Sequence, residues 1–91
     1  MANKLPKKYL HFPDFGDACK AIAAWWAYQD AESTNRSLFN ISADGRDTDV
    51  CLSDKSLADQ SAFIVFLRDR ALIETFTVHR TQRVHTWLEG S

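Results

Sequence analysis

At 91 residues the chain has room for one hydrophobic core, and its apolar content of 45% is ordinary for a globular domain. With a formal net charge of −1, the chain as a whole has no electrostatic attraction to nucleic acid. No stretch approaches the roughly 20 apolar residues that a membrane span needs. The charged N-terminus is followed by no apolar run, so no signal peptide is predicted. Two isolated cysteines favour a reducing compartment, and we expect a cytoplasmic protein without membrane contact.

The chain is predicted to begin with a basic arm and a short strand. Residues 1–8 contain three lysines and are expected to form a flexible arm, which leaves residues 9–89 as a single domain. The run Tyr9-Leu10-His11-Phe12 has the composition of a strand, and Pro13 stops it because proline cannot donate to a strand ladder.

A first helix is predicted to follow. Asp14 is a favourable N-cap, and Asp17 places a second carboxylate in the first turn. Helical spacing puts five residues on one predicted buried face: Phe15, Ala18, Cys19, Ile22 and Trp26. Trp25 is then expected at the margin of this face and Tyr28 well away from it. The helix is expected to end near residues 33–35, where Asn can adopt a left-handed C-cap.

The clearest local signal is a β-hairpin over residues 36–53. The dipeptide Asp44-Gly45 is typical of a type I′ turn between two strands. A two-residue loop at this dipeptide predicts the pairs Ala43–Arg46, Ile41–Thr48, Phe39–Val50, Asn40–Asp49 and Ser42–Asp47. One face of the hairpin is then apolar and the other mostly polar, which supports this arrangement independently of the turn.

A second helix is predicted from a cap-like sequence at Ser56 to about Leu72. One face carries Leu57, Ile64, Leu67 and Ala71. Phe66 falls nearly opposite Ile64, and Val65 and Leu72 fall on yet another side. The helix is therefore predicted to be apolar almost all round, as in a helix wedged between two layers or used in an oligomer contact. The alternative is a strand over residues 62–67, although the flanking residues favour a helix.

The tail from Glu74 to Leu88 alternates in polarity and predicts a second hairpin. If Val78 faces Val84 around a short loop, one face carries Phe76, Val78, Val84 and Leu88. The other face then carries Thr75, Thr77, His79, Arg83, His85 and Trp87. A two-residue turn at residues 81–82 is the alternative, but it sets two arginines directly opposite each other, which is unfavourable.

These elements predict an α+β fold, a two-layer sandwich with two helices on one face of a four- to five-stranded antiparallel sheet. With the N-terminal strand, the order is βαββαβ plus a strand, which resembles the ferredoxin-like plan. Without that strand, the chain is two αββ units in tandem. Neither arrangement specifies a function, because such folds host many.

Residue types that support catalysis or metal binding are few and scattered. The three histidines and two cysteines include no closely spaced ligand pair, so neither a metal nor a cofactor is expected. Cys19 lies on the predicted buried face, where a thiol is inert. Cys51 could be exposed, but Asp47 and Asp49 beside it would raise its pKa. The sequence contains no catalytic motif, and an enzyme is not expected.

Nucleic-acid binding is the alternative function that the sequence supports. The candidate residues belong to the polar side of the tail: His79, Arg80, Arg83, His85 and Trp87. Rings and cations of this kind stack on bases and contact phosphates, and the N-terminal lysines could add contacts. Asp47 and Asp49, which alternate along a strand and are predicted to lie on the solvated face of the middle hairpin, argue against it, as does the nearly neutral net charge.

Protein–protein association is the preferred function. The candidate residues are aromatic or arginine, types enriched in binding hot spots: Trp25, Tyr28, Phe66 and Arg70. Scattered exposed aromatics are normal in a small domain, but this explains Phe66 less easily. We expect a non-catalytic adaptor, regulator or inhibitor, of the type that phages and mobile elements encode, which binds another protein or forms a homodimer or larger oligomer through the second helix.

Overall fold

A computed structural model of the chain describes residues 6–29 and 36–84. The elements in chain order are β1 (Tyr9–Phe12), α1 (Phe15–Gln29), β2 (Phe39–Asp44), β3 (Asp47–Leu52), a 3-10 helix (Asp54–Asp59), α2 (Gln60–Asp69) and β4 (Thr77–His79). The strands form one antiparallel sheet in the order β2-β3-β1-β4, and both helices share a core with it. The predicted α+β arrangement is confirmed. The further strand predicted in the tail lies mainly outside the described residues.

The short strand predicted at the N-terminus is present and central. β1 pairs with β3 on one side and with β4 on the other, and Leu10 and Phe12 are fully buried under the helices. The tandem αββ arrangement, which needed this strand to be absent, is therefore wrong. Within the described part of the chain, neither helix has the length and apolar character needed to cross a bilayer.

α1 begins as predicted, but its buried face is rotated. The Gly16 amide donates to Oδ1 of Asp14 at 2.8 Å, so Asp14 caps the helix. The residues that face the core are Ala18, Ala21, Ile22 and Trp25. Cys19 is exposed and Trp26 half-buried, so both were placed wrongly. The two alanines explain the rotation, because a helix face with small side chains can approach a sheet closely. The end predicted near residues 33–35 lies outside the described residues.

The middle hairpin is confirmed with a different turn. The loop is Gly45-Arg46, so Asp44 pairs with Asp47 and Ile41 pairs with Val50. Of the two loop residues only Gly45 has a positive φ, 65°. This is typical of type II′ turns, which place Gly at the first loop position. The predicted type I′ turn would also require a positive φ at Asp44, which is costly for a residue with a side chain. The predicted pairs are therefore wrong, although the same side chains share each face.

α2 is a helix, as preferred over the strand alternative, but it is not apolar all round. Its buried residues are Gln60, Phe63, Ile64, Phe66 and Leu67, whereas Val65 faces solvent. Phe66 was placed wrongly because the helix has two neighbours: one side packs on the sheet, and Phe66 packs towards α1. After the helix, Leu72 has a φ of 55°, and the Ile73 amide donates to the Leu67 carbonyl at 2.7 Å, which closes the C-terminus in a left-handed cap.

The tail does not form the predicted hairpin within residues 80–84. β4 pairs with β1, and the chain then turns onto the sheet face opposite the helices, which we call the far face. The far face carries alternate residues of the four strands: Tyr9, His11, Asn40, Ser42, Asp49, Cys51, Thr77 and His79. Val84 is buried on this face and not beside Phe76 and Val78, because Asp49 and Ser42 bind its main chain.

Candidate protein-binding site

An aromatic cluster joins the two helices. The Trp25 ring packs 5.5 Å from the Phe63 ring and 5.3 Å from the Phe66 ring, centroid to centroid, both edge-on. Tyr28, one turn further along α1, lies 4.7 Å from Phe66. Offset and edge-on aromatic pairs of this kind each contribute about 0.5–1.5 kcal/mol beyond the burial of their area. The cluster therefore holds α1 and α2 at a fixed separation.

A hydrogen bond to Ser37 fixes the orientation of the Trp25 ring. The Trp25 indole N–H donates to the Ser37 hydroxyl at 3.0 Å, and the Gln29 amide donates to the same oxygen at 3.0 Å. The hydroxyl in turn donates to Oδ2 of Asp59 at 2.8 Å. The Trp26 indole donates to the Ser37 carbonyl at 2.9 Å. Ser37 is buried just before β2, and its hydrogen bonds connect this segment to α1 and to the 3-10 helix.

The cluster opens to the surface as a depression that we call the interhelical pocket. Its volume is about 390 Å³, and its lining residues are Trp25, Tyr28, Ala62, Val65, Phe66, Asp69 and Arg70. Trp25 and Phe66 form the base and are only 5% and 8% exposed. Tyr28 and Val65 form the rim and are 49% and 55% exposed. The pocket therefore offers apolar surface that is accessible yet held rigidly from beneath.

Two charged residues border the interhelical pocket. The Arg70 guanidinium lies 5.2 Å from the centroid of the Tyr28 ring, a cation–π distance. Asp69 precedes it at the end of α2. One cation and one anion therefore flank an apolar depression, which suits a ligand with an apolar anchor and its own charges beside it.

The four residues predicted for protein binding are brought together in this pocket. Two of them are more buried than expected. Trp25 was expected at the margin of the buried face and lies within it because that face is rotated, and Phe66 was expected away from the core and is buried because α2 has α1 beside it. Sequence reasoning missed Val65, Ala62 and Asp69 as lining residues. The signal for Val65 was present, since it lay on a side of α2 away from both Ile64 and Phe66.

The residues predicted for nucleic-acid binding are only partly brought together. His79 lies on the far face at the end of β4, and Arg80 follows it. Arg83 is exposed, and its amide donates to Asp49. His85 and Trp87 lie outside the described residues. Arg80 instead lines a second depression, of about 750 Å³, with Pro6, Lys7, Lys8 and Tyr9.

Asp49 is buried, whereas the sequence predicted a solvated carboxylate. It is 1% exposed, and three donors surround its carboxylate. His11 Nδ1 donates to Oδ1 at 2.9 Å, and the amides of Arg83 and Val84 donate to Oδ2, the latter at 2.7 Å. Nε2 of His11 lies 3.5 Å from Asp47, which is exposed. The expectation of a solvated row of acids is wrong for Asp49, because the tail covers it.

The candidate nucleophiles and metal ligands do not converge. Burial raises the pKa of the Cys51 thiol; the nearby Lys7 opposes this and Asp49 adds to it. Cys51, for which the sequence allowed an exposed position, is buried, whereas Cys19, which was predicted to be buried, is exposed. Across residues 6–29 and 36–84, no three side chains of His, Cys, Asp or Glu are placed to hold a metal ion.

Comparison with known proteins gives no relative: no protein-family model matches the chain, and no curated protein or solved structure is significantly similar to it.

Proposed function

We propose that the protein is a non-catalytic binding protein that holds an apolar side chain of a partner protein in the interhelical pocket. The observation that carries this proposal is that Trp25, Tyr28, Phe66 and Arg70 all line one open depression. Binding hot spots are enriched in Trp, Tyr and Arg, and they centre on well-packed apolar depressions that exclude water. An adaptor, regulator or inhibitor of modest size would act by occupying a partner surface in this way.

The size of the pocket supports a protein ligand. A depression of about 390 Å³ is at the small end of the range for small-molecule sites, which are roughly 300–1,000 Å³ and enclose most of their ligand. The exposed rim at Tyr28 and Val65 leaves the depression open on one side. One or two apolar side chains of a partner would cover this rim, while the rest of the partner lay across α2.

A second copy of the chain is the first partner to consider. In a twofold contact each patch meets itself, so Arg70 of one copy would approach Asp69 of the other. The two charges at the end of α2 would then complement each other, and Val65 of each copy would lie against the apolar rim. A homodimer through α2 is therefore the simplest form of the proposal.

The decisive substitution is Val65→Glu, because Val65 is exposed and its replacement leaves the aromatic base intact. Phe66→Glu would unfold the protein instead, since Phe66 is buried. Light scattering over a range of concentrations should give the wild type a mass near two chains and the Val65→Glu variant a mass of one chain. Ala23→Glu is the matched control, because Ala23 is exposed on α1, does not line the pocket and lies outside the α2 surface that the partner would cover.

If the wild type is a single chain at all concentrations, the partner is a different protein. Affinity capture from source cells should then retrieve a protein with the wild type and with Ala23→Glu but not with Val65→Glu. The purified partner should bind Val65→Glu about 30-fold more weakly by calorimetry, which corresponds to the loss of about 2 kcal/mol expected at a hot spot. Equal affinity of wild type and Val65→Glu for that partner would contradict the proposal.

A further inference from the structure

The half of the far face formed by β1 and β4 carries three rings in a small area. The strand register sets Tyr9 opposite His79, and His11 opposite Thr77. Tyr9, His11 and His79 therefore project from the same side of two adjacent strands. The rings of His11 and His79 meet edge-on with centroids 6.2 Å apart. As far as residue 84, the tail lies on the other half of this face, where Val84 bonds to Asp49 and Ser42.

Three cations flank these rings. Lys7, Lys8 and Arg80 line one depression of about 750 Å³ together with Pro6 and Tyr9. Lys7 forms an ion pair with Asp54 at 3.2 Å, and within the described residues Lys8 and Arg80 form none. Desolvation lowers the pKa of Lys7, but its hydrogen bond to Asp54 and the surrounding negative groups outweigh this and raise its pKa overall, so it stays charged.

The basic segment is held in place by a buried side chain. The Lys8 amide donates to Oε1 of Gln60 at 2.8 Å, and Nε2 of Gln60 donates to the Pro6 carbonyl at 2.8 Å. Gln60 is buried at the start of α2. Residues 6–8, which the sequence placed in a flexible arm, are therefore fixed against the domain. A ligand that binds Lys7 and Lys8 has less chain entropy to overcome, because their backbone is already ordered.

The acids on this face do not oppose an anionic ligand as strongly as the sequence implied. Asp49 is buried beneath the tail, and three donors compensate its charge. Asp47 is exposed, but Nε2 of His11 lies 3.5 Å from Oδ1 of its carboxylate. The local balance at Lys7, Lys8 and Arg80 is therefore positive, even though the whole chain is close to neutral.

We propose that this surface, which we call the basic platform (Lys7, Lys8, Tyr9, His79 and Arg80), binds single-stranded nucleic acid. Sites for single strands combine cations that follow the backbone with rings on which successive bases stack. The basic platform has both, because the three cations and Tyr9 line one open depression and His79 lies opposite Tyr9 on β4. A single strand fits because its bases are free to lie on the rings, whereas a duplex hides its base faces. The proposal goes beyond protein binding and uses a surface that shares no lining residue with the interhelical pocket.

The test is fluorescence anisotropy with a labelled oligothymidylate of about 12 nucleotides, a length within the usual site sizes for single strands. For about three phosphate contacts the logarithm of the binding constant should fall with the logarithm of salt with a slope of about −2, since single strands contribute about −0.7 per contact. Arg80→Ala should reduce this slope by about 0.7, and it should weaken binding most at low salt.

Two further variants separate stacking from charge. Tyr9→Leu should weaken binding by about 5- to 100-fold at every salt concentration, the loss of one stacked base, whereas Tyr9→Phe keeps the ring and should stay within about twofold of the wild type. Lys20→Ala is the charge control, because Lys20 is exposed on α1, outside the basic platform. It should leave both affinity and salt slope unchanged. Circular dichroism confirms that each variant is folded.

Each of the following results would overturn the proposal. The first is no saturable binding at about 50 mM salt with protein up to about 100 μM, where even non-specific nucleic-acid binding is measurable. The second is equal loss of affinity in Arg80→Ala and Lys20→Ala. The third is unchanged affinity in Tyr9→Leu, or tighter binding of heparin than of the oligonucleotide, because either would reduce the contact to general attraction of a polyanion. If Tyr9→Leu fails to fold, Arg80→Ala and its salt slope decide the outcome.

Discussion

Ser37 shows how one small polar residue determines the position of larger ones. Its hydroxyl accepts from Trp25 and Gln29 and donates to Asp59. The Trp25 ring is the base of the interhelical pocket, so the geometry of the candidate site depends on a serine that does not line it. A polar group of this kind is tolerated in the interior because each of its partners is satisfied.

We expect Ser37→Ala to lower the free energy of unfolding by roughly 2–4 kcal/mol, because at least two partner groups would each lose a hydrogen bond in a buried setting. Urea denaturation measures the change. Ser61→Ala is the control, since Ser61 is exposed and its loss should cost less than about 0.5 kcal/mol. A Ser37→Ala midpoint equal to that of Ser61→Ala would show that the hydrogen bonds of the Ser37 hydroxyl do not stabilise the fold.

At the scale of an element, the C-terminus of α2 carries a residue in an unfavourable conformation. Leu72 has a φ of 55° and is 75% exposed, so its side chain gains little burial in return for the left-handed backbone. Glycine is the usual residue at this position of a helix cap, because it has no Cβ to clash. The hydrogen bond from Ile73 to Leu67 requires the left-handed residue between α2 and the next segment.

Leu72→Gly should therefore raise the free energy of unfolding by about 1 kcal/mol, the typical penalty of a left-handed residue with a side chain. In thermal unfolding this corresponds to an increase in Tm of about 4–8 °C for a domain of this size. Leu72→Ala, which removes the exposed apolar group but keeps a Cβ, is the control and should give little change. If both variants gained equally, relief of the backbone conformation would not be the cause.

At the scale of the whole molecule, local patterns predicted the elements but not the contacts between distant segments. The helix after Asp14, the hairpin around Gly45 and the strand before Pro13 each rest on neighbouring residues, and each is present. The predicted buried face of α1 was wrong by a small rotation. The face that packs on the core carries two alanines and the hydrogen-bonded Trp25, whereas the predicted face carries bulkier side chains. Side-chain alternation could place Asp49 on the far face, but only the return of the tail buries it.

The return of the tail onto the far face depends on Asp49. Asp49 joins three distant parts of the chain: β3, on which it lies, His11 of β1, and the main chain of Arg83 and Val84. Its carboxylate accepts from all three donors while nearly inaccessible to water. A buried charge is costly unless it is fully bonded, so the tail segment and the sheet depend on each other.

Asp49→Ala should lower the free energy of unfolding by about 3 kcal/mol, because it leaves buried donors without an acceptor. Asp49→Asn should cost only about 1 kcal/mol, since the amide oxygen can accept from Arg83 and Val84 while the amide nitrogen donates to His11 Nδ1 in its other tautomer. Urea denaturation measures both, with exposed Asp47→Ala as the control at less than about 1 kcal/mol. Amide exchange adds a local readout: the Val84 amide should lose protection in Asp49→Ala and retain it in Asp49→Asn. Equal costs for the two variants, or a Val84 amide that is protected in both, would mean that the carboxylate does not hold the tail on the far face.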